Sequence, residues 1–207
     1  MSKKVKTKKV EYTLKNSALW GIFWFFVLVF IDQITKAAAD AYFHQSGVEN
    51  PIVIIPEMIS LTITYNRGIA FSGFANAGPE VKIGIVVATA VMMLLLTVFY
   101  FKTDKRRRFM RAALVLVVAG GIGNLIDRIY YRVWETAASG GVRDMVNVNI
   151  IFDFGCCNFA DFFIVAGAVM LLLAMFFFDR DALFPVGKYK ALAKEQEEAD
   201  GNKPAQI

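Results

Sequence analysis

The chain has a single histidine, His44, in 207 residues, and its two cysteines, Cys156 and Cys157, are adjacent. One histidine rules out an H-E-x-x-H zinc site, which needs two of them a helical turn apart. A serine–histidine hydrolase would have to use His44 alone, and no G-x-S-x-G elbow is present. The cysteines have no metal-ligand spacing, and a bond between neighbours would be a strained vicinal disulfide, so two free, buried thiols are expected. No internal repeat relates the two halves, and nothing here calls for a metal or a cofactor. Charge is scarce as well: 20% of residues are charged against 57% hydrophobic, with 19 phenylalanines. Mean hydropathy is +0.48. A water-soluble fold of this length could not hide so much apolar surface. The composition is that of an integral membrane protein.

Four apolar runs approach the roughly 20 residues that cross a hydrocarbon core. They cover 18–38, 81–101, 112–131 and 161–178, within a membrane core of 18–180. Residues 1–17 form a basic tail, and the charged, apolar-poor stretch 181–207 is expected to be disordered. Basic residues gather in "KKVKTKKVEYTLK" before the first span and "KTDKRRRFMR" between the second and third. The positive-inside rule puts both termini in the cytoplasm and the two longer loops outside. The net charge of +5 follows from this topology and points to anionic lipid at the cytoplasmic face, not to nucleic acid. "AAADA" at 37–41 resembles a signal-peptide cleavage site, but Asp32 and Lys36 interrupt the long apolar core, which reads as a retained span.

The first outer loop contains "MISLTITYN", which alternates strictly. Met58, Ser60, Thr62, Thr64 and Asn66 fall on one side, and Ile59, Leu61, Ile63 and Tyr65 on the other, as in a half-buried strand. "ENPIVIIPE" before it supplies another extended piece. Glycines 68 and 73 after it suit a tight turn. A small sheet lying on the membrane surface is expected. The second outer loop pairs a flexible polar stretch, "RVWETAASGGVRD", with one extended segment, "MVNVNIIFDF". Tyr130, Tyr131 and Trp134 suit the headgroup level.

Polar residues in the spans crowd toward the outer side. Asp32 lies 13 residues past Leu19, about 20 Å in at about 1.5 Å per residue. Lys36 is one turn further, so the two can pair on one face, either merely neutralising each other or serving a site. In "GGIGNLIDR", Gly120, Asn124 and Arg128 share a face: the glycine admits a neighbouring helix, and the other two present donors. Asp127 is a candidate counter-ion for Arg128. Asn158 and Asp161 share a face at the head of the fourth span, and Asp144 and Asp153 precede them. Aspartate in a span is costly, by about 2.5–3.5 kcal/mol at its centre. Two converging carboxylates are what acid–base hydrolysis needs, because close acids share one proton. Aspartate is the only catalytic group present in quantity.

"DQITK", "NRGIAF", "GGIGNLIDR", "VRDMV" and "CNFAD", in that order across four spans, resemble the lipoprotein signal peptidases, the signal peptidase II family. The resemblance covers residues 18–180 and implies an α-helical integral membrane protein with four transmembrane helices and a small extracytoplasmic β-sheet. It implies an aspartic endopeptidase of the bacterial inner membrane with its site near the outer face, and a single chain is expected to be the working unit. The implied substrate is a prolipoprotein carrying a diacylglyceryl cysteine, cut just before that cysteine. By motif position the catalytic pair falls on Asp144 and Asp161. Asp32, Lys36, Asn66, Gly68, Ala70, Gly120, Asn124, Arg128 and Asn158 match positions that bind substrate or brace the pair. The stretch "YYRVWETAASGG" lengthens the separation of Arg128 and Asp144 beyond the family pattern, which keeps Asp153 open as an alternative to Asp144. The inserted residues have the length and glycine content of a flap over the site.

A different class also fits some of these residues: a small proton- or ion-coupled transporter with Asp32, Asp127 and Asp161 as relay carboxylates. Such sites lie near the midplane on broken helices within internal repeats. Here the acids crowd outward and no repeat is evident.

Overall fold

In a computed structural model, the structure describes residues 2–48, 50–69, 73–104, 107–135, 140–150, 153–178 and 195. Helix α1 (Ser2–Ala39) continues through a π-helical turn (Asp40–Gln45) into strands β1 (Ile52–Ile55) and β2 (Ile59–Asn66). Helices α2 (Pro79–Lys102) and α3 (Arg108–Tyr130) follow, then β3 (Val142–Asn149), β4 (Asp153–Cys157) and α4 (Phe159–Leu173), which ends in a π-helical turn (Ala174–Phe178). Among the described residues, four helical stretches are long and apolar enough to cross a membrane: Leu19–Phe43, Pro79–Lys102, Arg108–Tyr130 and Phe159–Phe176. They match the four apolar runs of the sequence to within a few residues. The basic tail at 1–17 is a helical extension of α1 from Ser2 onward. The stretch 181–207 lies outside the described residues, apart from Glu195.

Helix α3 is the hub. Two thirds of its spanning window, 67%, is buried, against 11–17% for the other three spans, so α1, α2 and α4 pack around it and turn their apolar outer faces to lipid. Phe26, Phe30, Leu94 and Val165 are all more than 60% exposed, which in a bilayer leaves apolar side chains in apolar surroundings. Close approach needs small residues on α3. At Gly120 a side chain would collide with the Ala160 carbonyl oxygen of α4, and at Gly123 it would meet the Asp32 carboxylate of α1.

The strands form one antiparallel sheet in the order β1-β2-β3-β4. Thr64 pairs with Asp144, Tyr65 with Arg143 and Asn66 with Val142, so the "NRG" stretch and the "VRD" stretch meet at one end of the sheet. Two expectations need correction. "MVNVNIIFDF" is not one extended segment: β3 ends at Asn149 and β4 begins at Asp153, pairing back through Val146–Cys157 and Asn147–Cys156. Nor does β2 have one buried and one solvent face. Seven of its eight residues are half-buried and only Thr64 is exposed, because register shifts between Leu61 and Thr64 break the simple alternation.

Candidate active site

The sheet delivers Asp144 on β3 to the head of α4, where Asn158 caps the helix. Asn158 is fully buried and Asp144 is 2% exposed. The Asn158 side-chain oxygen accepts from the Asp161 backbone N–H at 3.1 Å, and the Asp161 carboxylate accepts from the Asn158 N–H at 3.1 Å. This reciprocal capping box fixes both side chains at the helix start. Asn158 Nδ2 is left to donate to Asp144 Oδ1 at 2.6 Å. One asparagine therefore bridges the two carboxyl groups.

A second asparagine ties Asp161 to the other helices. Asn124 Nδ2 donates to Asp161 Oδ1 at 2.7 Å, and Asn124 Oδ1 accepts from Lys36 Nζ at 2.9 Å. The ammonium donates only, which fixes the direction of the amide. Lys36 is fully buried and also meets Asp32 Oδ2 at 2.8 Å and Asp127 Oδ2 at 3.5 Å. Asp32 reaches across to α4, accepting from the Ala160 N–H at 2.9 Å. The Asp32–Lys36 pair is thus the centre of a buried network that joins α1, α3 and α4, not an isolated couple.

Asp127 is not the counter-ion of Arg128, contrary to the sequence expectation. Its carboxylate faces Arg143, accepting from Nη2 at 2.8 Å, from Nε at 3.3 Å and from the backbone N–H at 3.0 Å. Gln33 completes the clamp by accepting from Arg143 Nη2 at 3.1 Å and donating to the Gly123 carbonyl at 3.0 Å. Arg128 instead donates from Nη2 to the Gly68 carbonyl at 3.2 Å. Gly68 N–H donates to Asn66 Oδ1 at 2.9 Å, and the Asn66 side chain also hydrogen-bonds Asp144. These bonds tie the turn after β2 to Arg128 on α3 and to Asp144 on β3.

The site residues expected from the sequence mostly converge. Asp32, Lys36, Asn66, Gly68, Asn124, Arg128, Asp144, Asn158 and Asp161 share one connected set of hydrogen bonds and ion pairs. Gly120 is a packing residue that brings α4 close enough for Asn124 to reach Asp161. Ala70 lies outside the described residues, as do residues 136–139 of the inserted stretch. Asp153 opens β4 opposite Asn149, about 16 Å of strand from Asn158 at about 3.3 Å per residue. Gln33 and Arg143 were not singled out from the sequence; their only signal is adjacency to Asp32 and Asp144 within "DQITK" and "VRDMV".

Electrostatics single out Asp144. Burial, and then the neighbouring charge of Asp161, push the Asp144 carboxyl up to about 7 against the opposing hydrogen bonds of Asn158 and Asn66 and the charge of Lys36. Asp161 is only half-buried and opens toward the surface. Cys156 and Cys157 are free but half-buried instead of fully enclosed, and burial pushes both thiols up to about 12. Among the described residues no group of histidine, cysteine, aspartate and glutamate side chains is arranged to hold a metal ion.

Residues 24–177 match the family model described as signal peptidase (SPase) II. The chain belongs to the signal peptidase II family. A lipoprotein signal peptidase of Pseudomonas fluorescens is 35% identical over 159 residues, covering 76% of this chain and 86% of the relative. Its counterpart from Pseudomonas aeruginosa is 35% identical over 156 residues, covering 74% and 86%. A solved bacterial membrane enzyme, 26% identical, superposes with a TM-score of 0.61 over 80% of this chain and 95% of that one. As a signal peptidase II family member the chain is a bacterial membrane protein and a protease, and the four-span fold with its small sheet agrees with the solved neighbour. No comparison supports a transporter.

Proposed function

We propose that this chain is an aspartic endopeptidase that removes signal peptides from diacylglyceryl-modified prolipoproteins, cutting before the lipid-modified cysteine. The observation that carries this reading is Asn158, which bridges Asp144 and Asp161 at the head of α4. Asp144, raised to about 7, holds the shared proton near neutral pH and donates it to the oxygen of the scissile carbonyl. Asp161 takes a proton from the attacking water, whose oxygen bonds to the carbonyl carbon. The tetrahedral intermediate collapses when Asp161 passes that proton to the leaving nitrogen, the C–N bond breaks, and the hydroxyl formed from the carbonyl oxygen returns its proton to Asp144. Asn66, Gly68 and Arg128 line the approach and orient the peptide backbone. Lys36, Asp32 and Asn124 brace Asp161 without touching substrate.

The charge pattern supports a cytoplasmic location for both termini and a position of the carboxyl pair near the outer face of the inner membrane. A peptide held in the bilayer with its cleavage point at that surface meets the half-buried Asp161. Every group in the mechanism comes from one set of helices and strands, which supports one chain as the working unit; its partners are the prolipoprotein and membrane lipid. The test is incubation of the purified protein in detergent with a prolipoprotein with and without its diacylglyceryl group. Mass spectrometry of the products should find a new N-terminus at the modified cysteine. Absence of cleavage of the lipidated form would sink the reading.

A further inference from the structure

An apolar groove lies at the other end of the helices from the carboxylates. Phe26 of α1, Tyr100 and Phe101 of α2, and Leu114, Val115 and Ile122 of α3 are among its lining, which encloses ≈ 270 Å³. From Leu114 to Ile122 it follows α3 for about 12 Å at about 1.5 Å rise per residue. Its rim faces the bilayer, with Phe26 64% and Phe101 59% exposed.

Two polar groups make it more than a gap between helices. The Tyr100 hydroxyl is buried with no hydrogen-bond partner, although Tyr100 is only 7% exposed. A buried hydroxyl left without a partner costs the fold stability. Beside it, the Arg111 guanidinium stacks on the Tyr100 ring at 4.0 Å. Arg111 Nη1 donates to the Tyr100 and Thr103 carbonyls at 3.1 and 3.0 Å, but Nη2 is buried and unbonded. Two more cations, Lys102 and Arg108, are exposed at the same end of α2 and α3. The groove's lining is apolar, and Arg111, one helical turn before Val115, and Lys102, next to Phe101, flank its end at the α2–α3 link together with Arg108, a charge pattern complementary to an anionic amphiphile.

We propose that this groove is a binding site for one anionic glycerophospholipid from the leaflet at the α2–α3 link. One acyl chain lies between α1, α2 and α3, and the phosphate sits against Arg111 with Lys102 and Arg108 around it. An ester or glycerol oxygen accepts from the Tyr100 hydroxyl. Arg111 is suited to phosphate because its planar fork offers several donors at once. This lipid is distinct from the substrate, whose cleavage point lies at the opposite surface.

Native mass spectrometry of the delipidated full chain tests this, using a phosphatidylglycerol and a phosphatidylcholine with the same acyl chains at equal concentration. Wild type should retain one phosphatidylglycerol at least several-fold more often than one phosphatidylcholine. Val115→Phe, which fills the groove, should abolish that retention, and the double variant Lys102→Gln/Arg108→Gln should shrink the preference toward equality. These positions are half-buried or exposed, so the variants test the site without the fold risk of replacing buried Arg111; thermal melts without lipid verify folding. Equal retention of the two lipids by wild type overturns the proposal. So does a folded Val115→Phe protein that holds phosphatidylglycerol as well as wild type does.

Discussion

Asp144→Asn should abolish cleavage and yet make the protein more stable, by an amount that grows with pH. The substitution keeps the side chain's shape and the Oδ1 atom that accepts from Asn158, and it removes a carboxyl whose charge has almost no water. In the folded protein that carboxyl is raised from 3.8 to about 7. Between those values the native state holds the proton and the unfolded chain has released it. The native state thus binds more protons there, and stability falls as pH rises through that window. It is fully retained only below the unfolded value and levels off above the folded one. At about 1.36 kcal/mol per pH unit the whole window corresponds to about 4 kcal/mol, a ceiling that relaxation around the buried charge lowers toward about 1 kcal/mol. Asparagine does not titrate, so the variant escapes this loss. A chain of this length gains about 2–4 °C per kcal/mol, and the melting-temperature gap between variant and wild type should widen by several degrees from pH 5 to pH 8.5. Thermal unfolding followed by tryptophan fluorescence in a single detergent measures it. Parallel melting curves across that range would refute the reasoning, because Asp144 would then not carry its proton in the folded state.

The same proton governs turnover: with Asp144 as the acid, kcat should fall above about pH 7 and approach a tenfold drop per pH unit well beyond it; a profile flat to pH 9 contradicts the assignment. Lys36→Met leaves Asp32 and Asp127 without their shared cation, and breaking a buried pair on one side costs about 3–5 kcal/mol; the expected outcome is a large fall in melting temperature in detergent. Gly123→Ala drives a methyl group onto the Asp32 carboxylate and should cost about 1–3 kcal/mol as an overpacked contact. It should also loosen the Asp32–Ala160 bond and so lower cleavage. An unchanged melting temperature for Gly123→Ala would mean that α1 and α3 are less tightly apposed than these contacts indicate.

The sequence made the fold readable where local physics decides it. A run of some 20 apolar residues has few alternatives to a membrane-spanning helix, and the alternation of 58–66 together with the proline-bounded "IVII" marked two of the four strands. The i, i+3 spacing of Asn158 and Asp161 is itself a capping signal, and the structure shows the capping box. What local pattern could not reveal is which element a polar side chain reaches. Asp127 has Arg128 as its chain neighbour, yet its partner is Arg143 on β3, 16 residues on. Asp32 and Lys36 were visible as a helical pair, but their links to Asn124 and to the Ala160 N–H depend on how closely α1, α3 and α4 pack. Nothing local marks Gln33, because an amide next to a buried acid has no periodic signature. Its role exists only once β3 brings Arg143 to it. Nothing local marks where β3 ends, because "NVNIIFDF" keeps an extended-looking composition from Asn147 to Phe154.

The most direct test of the catalytic assignment compares signal-peptide release from a diacylated prolipoprotein by wild type, Asp144→Asn, Asp161→Asn and Asp153→Asn, all verified as folded. The bridge through Asn158 predicts that the Asp144 and Asp161 variants lose essentially all cleavage while Asp153→Asn, at the far end of β4, cleaves at a rate close to wild type. Full activity in either Asp144→Asn or Asp161→Asn, or loss confined to Asp153→Asn, would contradict the account.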